Sequence, residues 1–384
     1  MIDPVALTQK LVQFPSVSPD SGESIDCISQ ILSDNAFQCF RIDRNGIPNL
    51  YARYGDGTPN LCFSGHTDVV PQGDSDLWDY PPFSGEISDN LLWGRGSVDM
   101  KSGVAASISA MLEYVQSNQS ACGSISCMIT GDEEGIATDG TLAIIDWLKN
   151  RHEVVDHCIV CEPSCDKRIG DTIKIGRRGS LNCHLTALGK SGHTAYPSRA
   201  SNPIPVLVKV LHHLSSATLD AGNSYFDPSN LVITTLDVGN KASNVIPDSA
   251  RAAFNIRFNS LHTSENLKRW ISTEIANCLA GDDSVSLAIE TKGNAEAFLT
   301  PPCILTSLLK KSIHDVIQDS DLEIALSTSG GTSDARFIQE LCPVIEFGLR
   351  NKGIHAINER VSVEDIHTLK QIYFRILTRY FLTH

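Results

Sequence analysis

A chain of 384 residues exceeds what one simple domain needs and predicts two, each large enough to bury a core. Its 41% hydrophobic and 20% charged residues are ordinary for a globular protein, and a net charge of −14 argues against nucleic acid or anionic membrane as a partner. The N-terminal MIDPVALTQKLVQF has no basic segment leading into an apolar one, and no apolar run nears the roughly 20 residues that span a bilayer. A cytoplasmic protein whose twelve cysteines are reduced is therefore expected.

From Met1 to about Arg177 the pattern alternates strand and helix. The short apolar runs LCFSG, SISCMIT and HCIVC have strand length, and SGVAASISAMLEYVQS and TLAIIDWLKN carry apolar residues at helical spacing. This rhythm predicts βαβ units, a mixed but mostly parallel sheet, and helices on both of its faces. Cys158 and Cys161 lie within the HCIVC run with no second pair at zinc-ribbon spacing, and are read as buried small hydrophobes.

The middle of the chain changes character. SLNCHLTALG, SNLVITTLDVG, ARAAFNIRFN and VSLAIETKG read as strands, while NPIPVLVKVLHHLSS and SENLKRWISTEIANCL read as helices. The order β-α-β-β-α-β is a ferredoxin-like unit, predicted to form a domain of residues 179–292 inserted into a larger one made of 1–178 and 293–384. After it the helix CILTSLLKKSIHDVIQ, the strand PVIEFGL and a long C-terminal helix from about Val363 return the chain to the first domain.

Acidic and imidazole residues punctuate the α/β segments. His66 and Asp68 lie in GHTD, Asp99 in GRGSVDMKSG, Glu133 and Glu134 in TGDEEG, Glu162 in CEPS and His355 in NKGIH, each after a run read as a strand. In open α/β sheets functional groups gather beyond the carboxyl ends of strands, so these clusters can converge. Imidazole and carboxylate together suit paired divalent metals, zinc above all. A carboxylate at position 99 has two oxygens with which to bridge two ions. Adjacent glutamates in a strand-end turn point different ways, so that one can ligate while its neighbour serves as general base; position alone does not say which. Gly-x-Ser-x-Gly is absent, which removes the nucleophile elbow of a serine hydrolase.

In sequence, SGHTDVVPQGD, GRGSVDMKSG, TGDEEG, CEPS, GRRGS, SGHTAYP, SNVIP and SGGTSDARF follow one another over nearly the whole chain. In this the chain resembles the succinyl-diaminopimelate desuccinylase family, within the aminoacylase/carboxypeptidase group of dizinc hydrolases. The resemblance implies hydrolysis of N-succinyl-L,L-diaminopimelate to succinate and L,L-diaminopimelate, a step in lysine and cell-wall precursor synthesis. Acetylornithine deacetylase or a dipeptidase of the same group is the alternative.

The resemblance also implies two Zn2+ per subunit, with Co2+ able to substitute. One ion would be held by His66 and Glu162, the other by Glu134 and His355, with Asp99 bridging. Glu133 would be the general acid/base and Asp68 the partner that orients His66. His193 in SGHTAYP would enter the partner subunit's site, implying a homodimer built through the inserted lid domain. Substrate contacts would be Arg177, Arg178, Ser180, Tyr196, Asn244, Arg257, Gly331, Thr332 and Asn351, the arginines suiting a small molecule with several carboxylates. The chain departs from the family at Ser97-Val98, where small alanines are more usual, and in the wording GLRNKGIH before the last histidine.

Overall fold

A computed structural model describes residues 2–117, 123–280 and 284–383. The chain forms two compact units, one of residues 1–176, 300–327 and 333–384, the other of 177–299 and 328–332. The second unit thus takes in residues 177–178 and 293–299, which the sequence reading assigned to the first domain. Its last long strand runs to Ala295, and the next short one ends at Leu299. The short stretch 328–332 also belongs to it, tied in by Thr328 Oγ1, which donates to the Tyr225 carbonyl at 2.5 Å.

The first unit is built on an eight-stranded mixed sheet. Its spatial order is Gln38–Arg41, Asn49–Tyr54, Ser124–Thr130, Asn60–His66, His157–Val160, Val344–Glu346, Thr172–Lys174 and Ala325–Ser327. The strands from Ser124–Thr130 to Val344–Glu346 run parallel, and the pairs toward the first edge are antiparallel. Every residue of Asn60–His66 and Ser124–Thr130 is buried. Continuous rather than alternating apolar runs are what a strand covered on both faces requires.

Helix Lys101–Ser117 packs against Pro4–Val12 and Val363–Thr383. Its approach to the sheet is close: a Cβ on Gly103 would stand 2.4 Å from the Cys161 carbonyl oxygen. That contact brings the start of the helix, and Asp99 just before it, to the end of the His157–Val160 strand. The small strand before Asp99, Leu91–Trp93, pairs with Ile87–Ser88 and Arg360–Ser362 in a separate three-stranded sheet. Asp99 therefore does not sit at the end of a main-sheet strand; loop and helix packing bring it there. Cys158 and Cys161 are both buried.

The second unit is an antiparallel four-stranded sheet in the order Asn230–Asp237, Ser249–Phe258, Gly179–Leu188 and Ser286–Ala295. Alternate residues of Ser249–Phe258 are buried. They pack with Leu207, Leu211, Leu267 and Ile271 of helices Pro203–Ser216 and Ser264–Leu279. Among the described residues no helix is long and apolar enough to cross a membrane.

Candidate metal centre

His66 is the last residue of its strand and is 1% exposed. Its Nδ1 donates to the backbone carbonyl of Asp68 at 2.8 Å. This hydrogen bond sets the tautomer and leaves Nε2 facing the acidic groups. Nε2 lies 3.2 Å from Asp99 Oδ1, 3.8 Å from Glu162 Oε1 and 4.0 Å from Glu133 Oε2.

On the other side of Asp99, Oδ2 is 3.5 Å from His355 Nε2, which also meets Glu134 Oε1 at 2.8 Å. Ligand atoms of His66, Asp99 and Glu162 lie within 4.8 Å of one another, as do those of Asp99, Glu134 and His355, and those of His66, Glu133 and Glu134. The first two trios share Asp99, one oxygen turned to each histidine. All seven metal-site and acid/base residues singled out in the first unit, His66, Asp68, Asp99, Glu133, Glu134, Glu162 and His355, come together here.

Asp68 meets His66 through its main-chain carbonyl rather than by a side-chain hydrogen bond. Its carboxylate oxygen is 3.6 Å from His66 Nδ1, beyond hydrogen-bond length, because the ring nitrogen is taken by the Asp68 main chain. The carboxylate instead accepts the backbone N–H groups of Glu133 at 3.2 Å and Glu134 at 3.1 Å, and the hydroxyl of Ser18 at 2.5 Å. It fixes the turn that aims the two glutamates.

The electrostatics are those of a site crowded with negative charge. Burial drives the Glu133 and Glu162 carboxyls well above the usual range, and neighbouring carboxylates add to the rise. Burial opposes protonation of His66, but Asp99, Asp68 and Glu133 outweigh it and hold the ring's affinity for a proton well above normal. Asp99 and Glu134 push His355 up to about 10. Asp99, although buried, is held low by hydrogen bonds from the two imidazoles. Four carboxylates converging on two imidazoles attract positive charge, and hard oxygen donors with borderline nitrogens are the donor set of divalent first-row cations and zinc. The residues present fit such ions.

Sequence reasoning missed four residues around this centre. Ser18 holds Asp68, as described. Glu359 and Arg95 form a buried ion pair beneath the loops of Asp99 and His355. Asp334, buried and pushed up to about 6 by desolvation, accepts from Thr141 Oγ1 at 2.7 Å. SGGTSDARF did draw attention to its neighbours, but no spacing links Ser18 to position 68 or Glu359 to position 99.

The expected substrate contacts of the second unit fall into two groups. Exposed His193 pairs with Val245 in a short antiparallel ladder, its ring 5.9 Å from that of Tyr196, and Thr194 N donates to the Asn244 carbonyl at 3.1 Å. In the other group Ser180 and Arg257 face each other across two strands. Arg178 donates to Asn230 Oδ1 at 3.1 Å, and Arg177 Nη1 to the Ser329 carbonyl at 3.3 Å, in the stretch that carries Gly331 and Thr332. Burial and the nearby charge of Arg178 lower the pKa of Arg257. Asn351 belongs to the first unit, where its N–H donates to the Cys165 carbonyl at 2.8 Å.

A histidine–carboxylate centre that fits divalent ions, carried on a mixed α/β sheet, together with a peptidase-family match makes the chain a metal-dependent hydrolase. The model of the peptidase family M20/M25/M40 matches residues 62–379, and the chain belongs to that family. It is 50% identical over 382 residues to a succinyl-diaminopimelate desuccinylase of Cereibacter sphaeroides, covering 99% of each chain. A protein of the same name from Paracoccus denitrificans is 47% identical over 380 residues, covering 99% of this chain and 98% of its own. Among solved structures, the M20 metallo-carboxypeptidase Sso-CP2 of Sulfolobus solfataricus superposes with a TM-score of 0.81 at 16% identity, covering 100% of both chains. The Bacillus subtilis YXEP protein, a dinuclear metal binding peptidase of the M20 family, does so at 0.72 and 13% identity, covering 99% of this chain and 98% of its own.

Proposed function

We propose that the chain hydrolyses N-succinyl-L,L-diaminopimelate to succinate and L,L-diaminopimelate. One observation carries the substrate: end-to-end identity of 50% with a relative of that name. Two Zn2+ ions, replaceable by Co2+, are the proposed cofactors, one held by His66 and Glu162, the other by Glu134 and His355, with Asp99 reaching both. Bound there, such ions polarise the scissile carbonyl and acidify a water.

Glu133 is the proton carrier. Its carboxylate, 4.0 Å from His66 Nε2, lies beside the proposed ligands without being one of them, where a proton-carrying group is needed. It takes a proton from the water whose oxygen bonds to the carbonyl carbon and delivers it to the amide nitrogen as the C–N bond breaks; the second water proton follows to the amine, leaving a new carboxylate and an ammonium group. Asp68 keeps Glu133 and Glu134 in register for these different tasks. The arginines 177, 178 and 257 supply positive charge for the carboxylates of the substrate, with Ser180, Tyr196, Asn244, Gly331, Thr332 and Asn351 as the remaining contacts. The second unit serves as lid and dimerisation domain in a cytoplasmic homodimer, with His193 donated to the partner subunit's site.

The test is a panel on zinc-loaded protein, following amide loss from N-succinyl-L,L-diaminopimelate, N-acetylornithine and a simple dipeptide. Strong preference for the succinyl substrate, removed by a chelator and restored by zinc, supports the reading. Preference for either of the other two keeps the metal chemistry and overturns the substrate.

A further inference from the structure

Two loops that carry neighbouring ligands are closed on one buried ion pair. Arg95 and Glu359 are 2% and 1% exposed, and Arg95 Nη1 donates to Glu359 Oε2 at 2.7 Å. The Glu359 carboxylate also accepts three main-chain N–H groups of the loop before the Lys101–Ser117 helix: Gly96 at 3.1 Å, Val98 at 2.8 Å and Asp99 itself at 3.1 Å. The wrapping needs Gly96, whose φ of +81° and a Cβ that would stand 2.5 Å from Val69 Cγ1 exclude a side chain.

Arg95 turns the other way. Its Nη2 donates to the carbonyl of His355 and its Nη1 to that of Ala356, both at 3.2 Å. His355 has a φ of +60°, a conformation an L-residue rarely holds without outside support. The guanidinium on its carbonyl provides that support.

We propose that Glu359 and Arg95 are positioning residues for the metal centre, Glu359 setting the Asp99 carboxylate and Arg95 the His355 imidazole so that both meet one ion with Glu134. The inference rests on the assignment of Asp99 and His355 as ligands. Stability alone is a poor reason for the pair, since a buried ion pair is often no more stabilising than apolar residues of the same size. Its hydrogen bonds end on the main chain of two ligand residues, and outer partners of metal ligands act through such bonds.

The experiment measures Zn2+ binding by calorimetry and the visible absorption of Co2+-loaded protein for wild type, Glu359→Gln and Arg95→Lys. Glutamine offers one carboxyl-like oxygen to donors that need two, and lysine keeps the positive charge but loses the fork that reaches residue 355. In both variants one of the two ions is expected to bind about 10–100-fold more weakly, with a shifted Co2+ spectrum and a fall in kcat at little change in KM. Glu153→Gln, which breaks the Arg53–Glu153 pair away from the ligands, is the control; it should lower Tm and leave ion affinity unchanged. Wild-type ion affinity and Co2+ spectrum in a folded Arg95→Lys protein overturn the proposal, whether or not Glu359→Gln folds. If His355→Ala binds both ions as the wild type does, the ligand assignment fails first and takes this inference with it.

Discussion

His66 Nδ1 donates to the main-chain carbonyl of Asp68 at 2.8 Å, while the Asp68 carboxylate stands 3.6 Å from that nitrogen. The aspartate side chain is thereby free to bind the N–H groups of Glu133 and Glu134. Asp68→Asn places an amide N–H₂ against one of these donors, so the glutamate turn shifts while the His66 tautomer survives. The expected result is a kcat lowered by about 10–100-fold with ion affinity changed far less. Glu133→Ala, which removes the proposed proton carrier, should cost about 10²–10⁴ in kcat with both ions retained. Loss of zinc from Asp68→Asn in a chelator competition would instead make its carboxylate a partner of the histidine after all.

Ser97 is fully buried, and among the described residues its hydroxyl has no hydrogen-bond partner. Burying a hydroxyl unpaired costs roughly 1–3 kcal/mol, and alanine fills nearly the same space. Ser97→Ala should therefore raise stability by about 1 kcal/mol, read as a higher Tm or denaturation midpoint. A lower midpoint would show that the hydroxyl has found a partner.

In the second unit Asp220 staples a long connection, accepting from Gly222 N at 2.7 Å, Asn259 Nδ2 at 2.7 Å, Ser229 N at 3.2 Å and His262 Nε2 at 3.0 Å. Burial opposes its ionisation, but the donors on Ser229, Gly222 and Asn259 prevail and lower its pKa from 3.8 to about 2. A folded-state pKa below the unfolded one means that the charged form stabilises the fold. That contribution is complete above the unfolded value and disappears as pH falls through the folded one. The Tm gap between wild type and Asp220→Asn should be widest near neutrality and narrow as pH falls from about 4 toward 2. A gap that stays constant over this window would assign the stabilisation to packing.

Strand Asn230–Asp237 lies at one edge of its sheet and exposes Val232 at 52% and Leu236 at 51%. An edge strand with exposed apolar side chains is a template for pairing with another chain, and it fits the proposed homodimer of lid domains. Lysine at both positions should shift the mass measured by light scattering from dimer to monomer. A dimer that persists would move the interface elsewhere.

Much of the centre is legible in the chain because the proposed ligands sit in short polar clusters directly after buried apolar runs. His66 ends LCFSGH, Glu133 and Glu134 follow SISCMIT, and Glu162 follows HCIVC, so parallel pairing of three neighbouring strands brings them together at the strands' carboxyl ends. The α/β alternation and the family are read correctly from the same signals. Asp99 is legible as a residue but not as a position, since the strand before it belongs to another sheet.

What the sequence by itself determined is therefore chemical and local: which residue types are available, which apolar runs are buried on both faces, and which turns end them. Tertiary structure alone decided how those side chains are aimed. Asp68 turned its carboxylate to Glu133 and Glu134 because its own carbonyl reached the imidazole first. Glu359 met the N–H of Asp99 across 260 positions. Hydrogen bonds of that kind leave no period or spacing in a sequence, because they depend on where packed helices and sheets happen to bring two distant loops together.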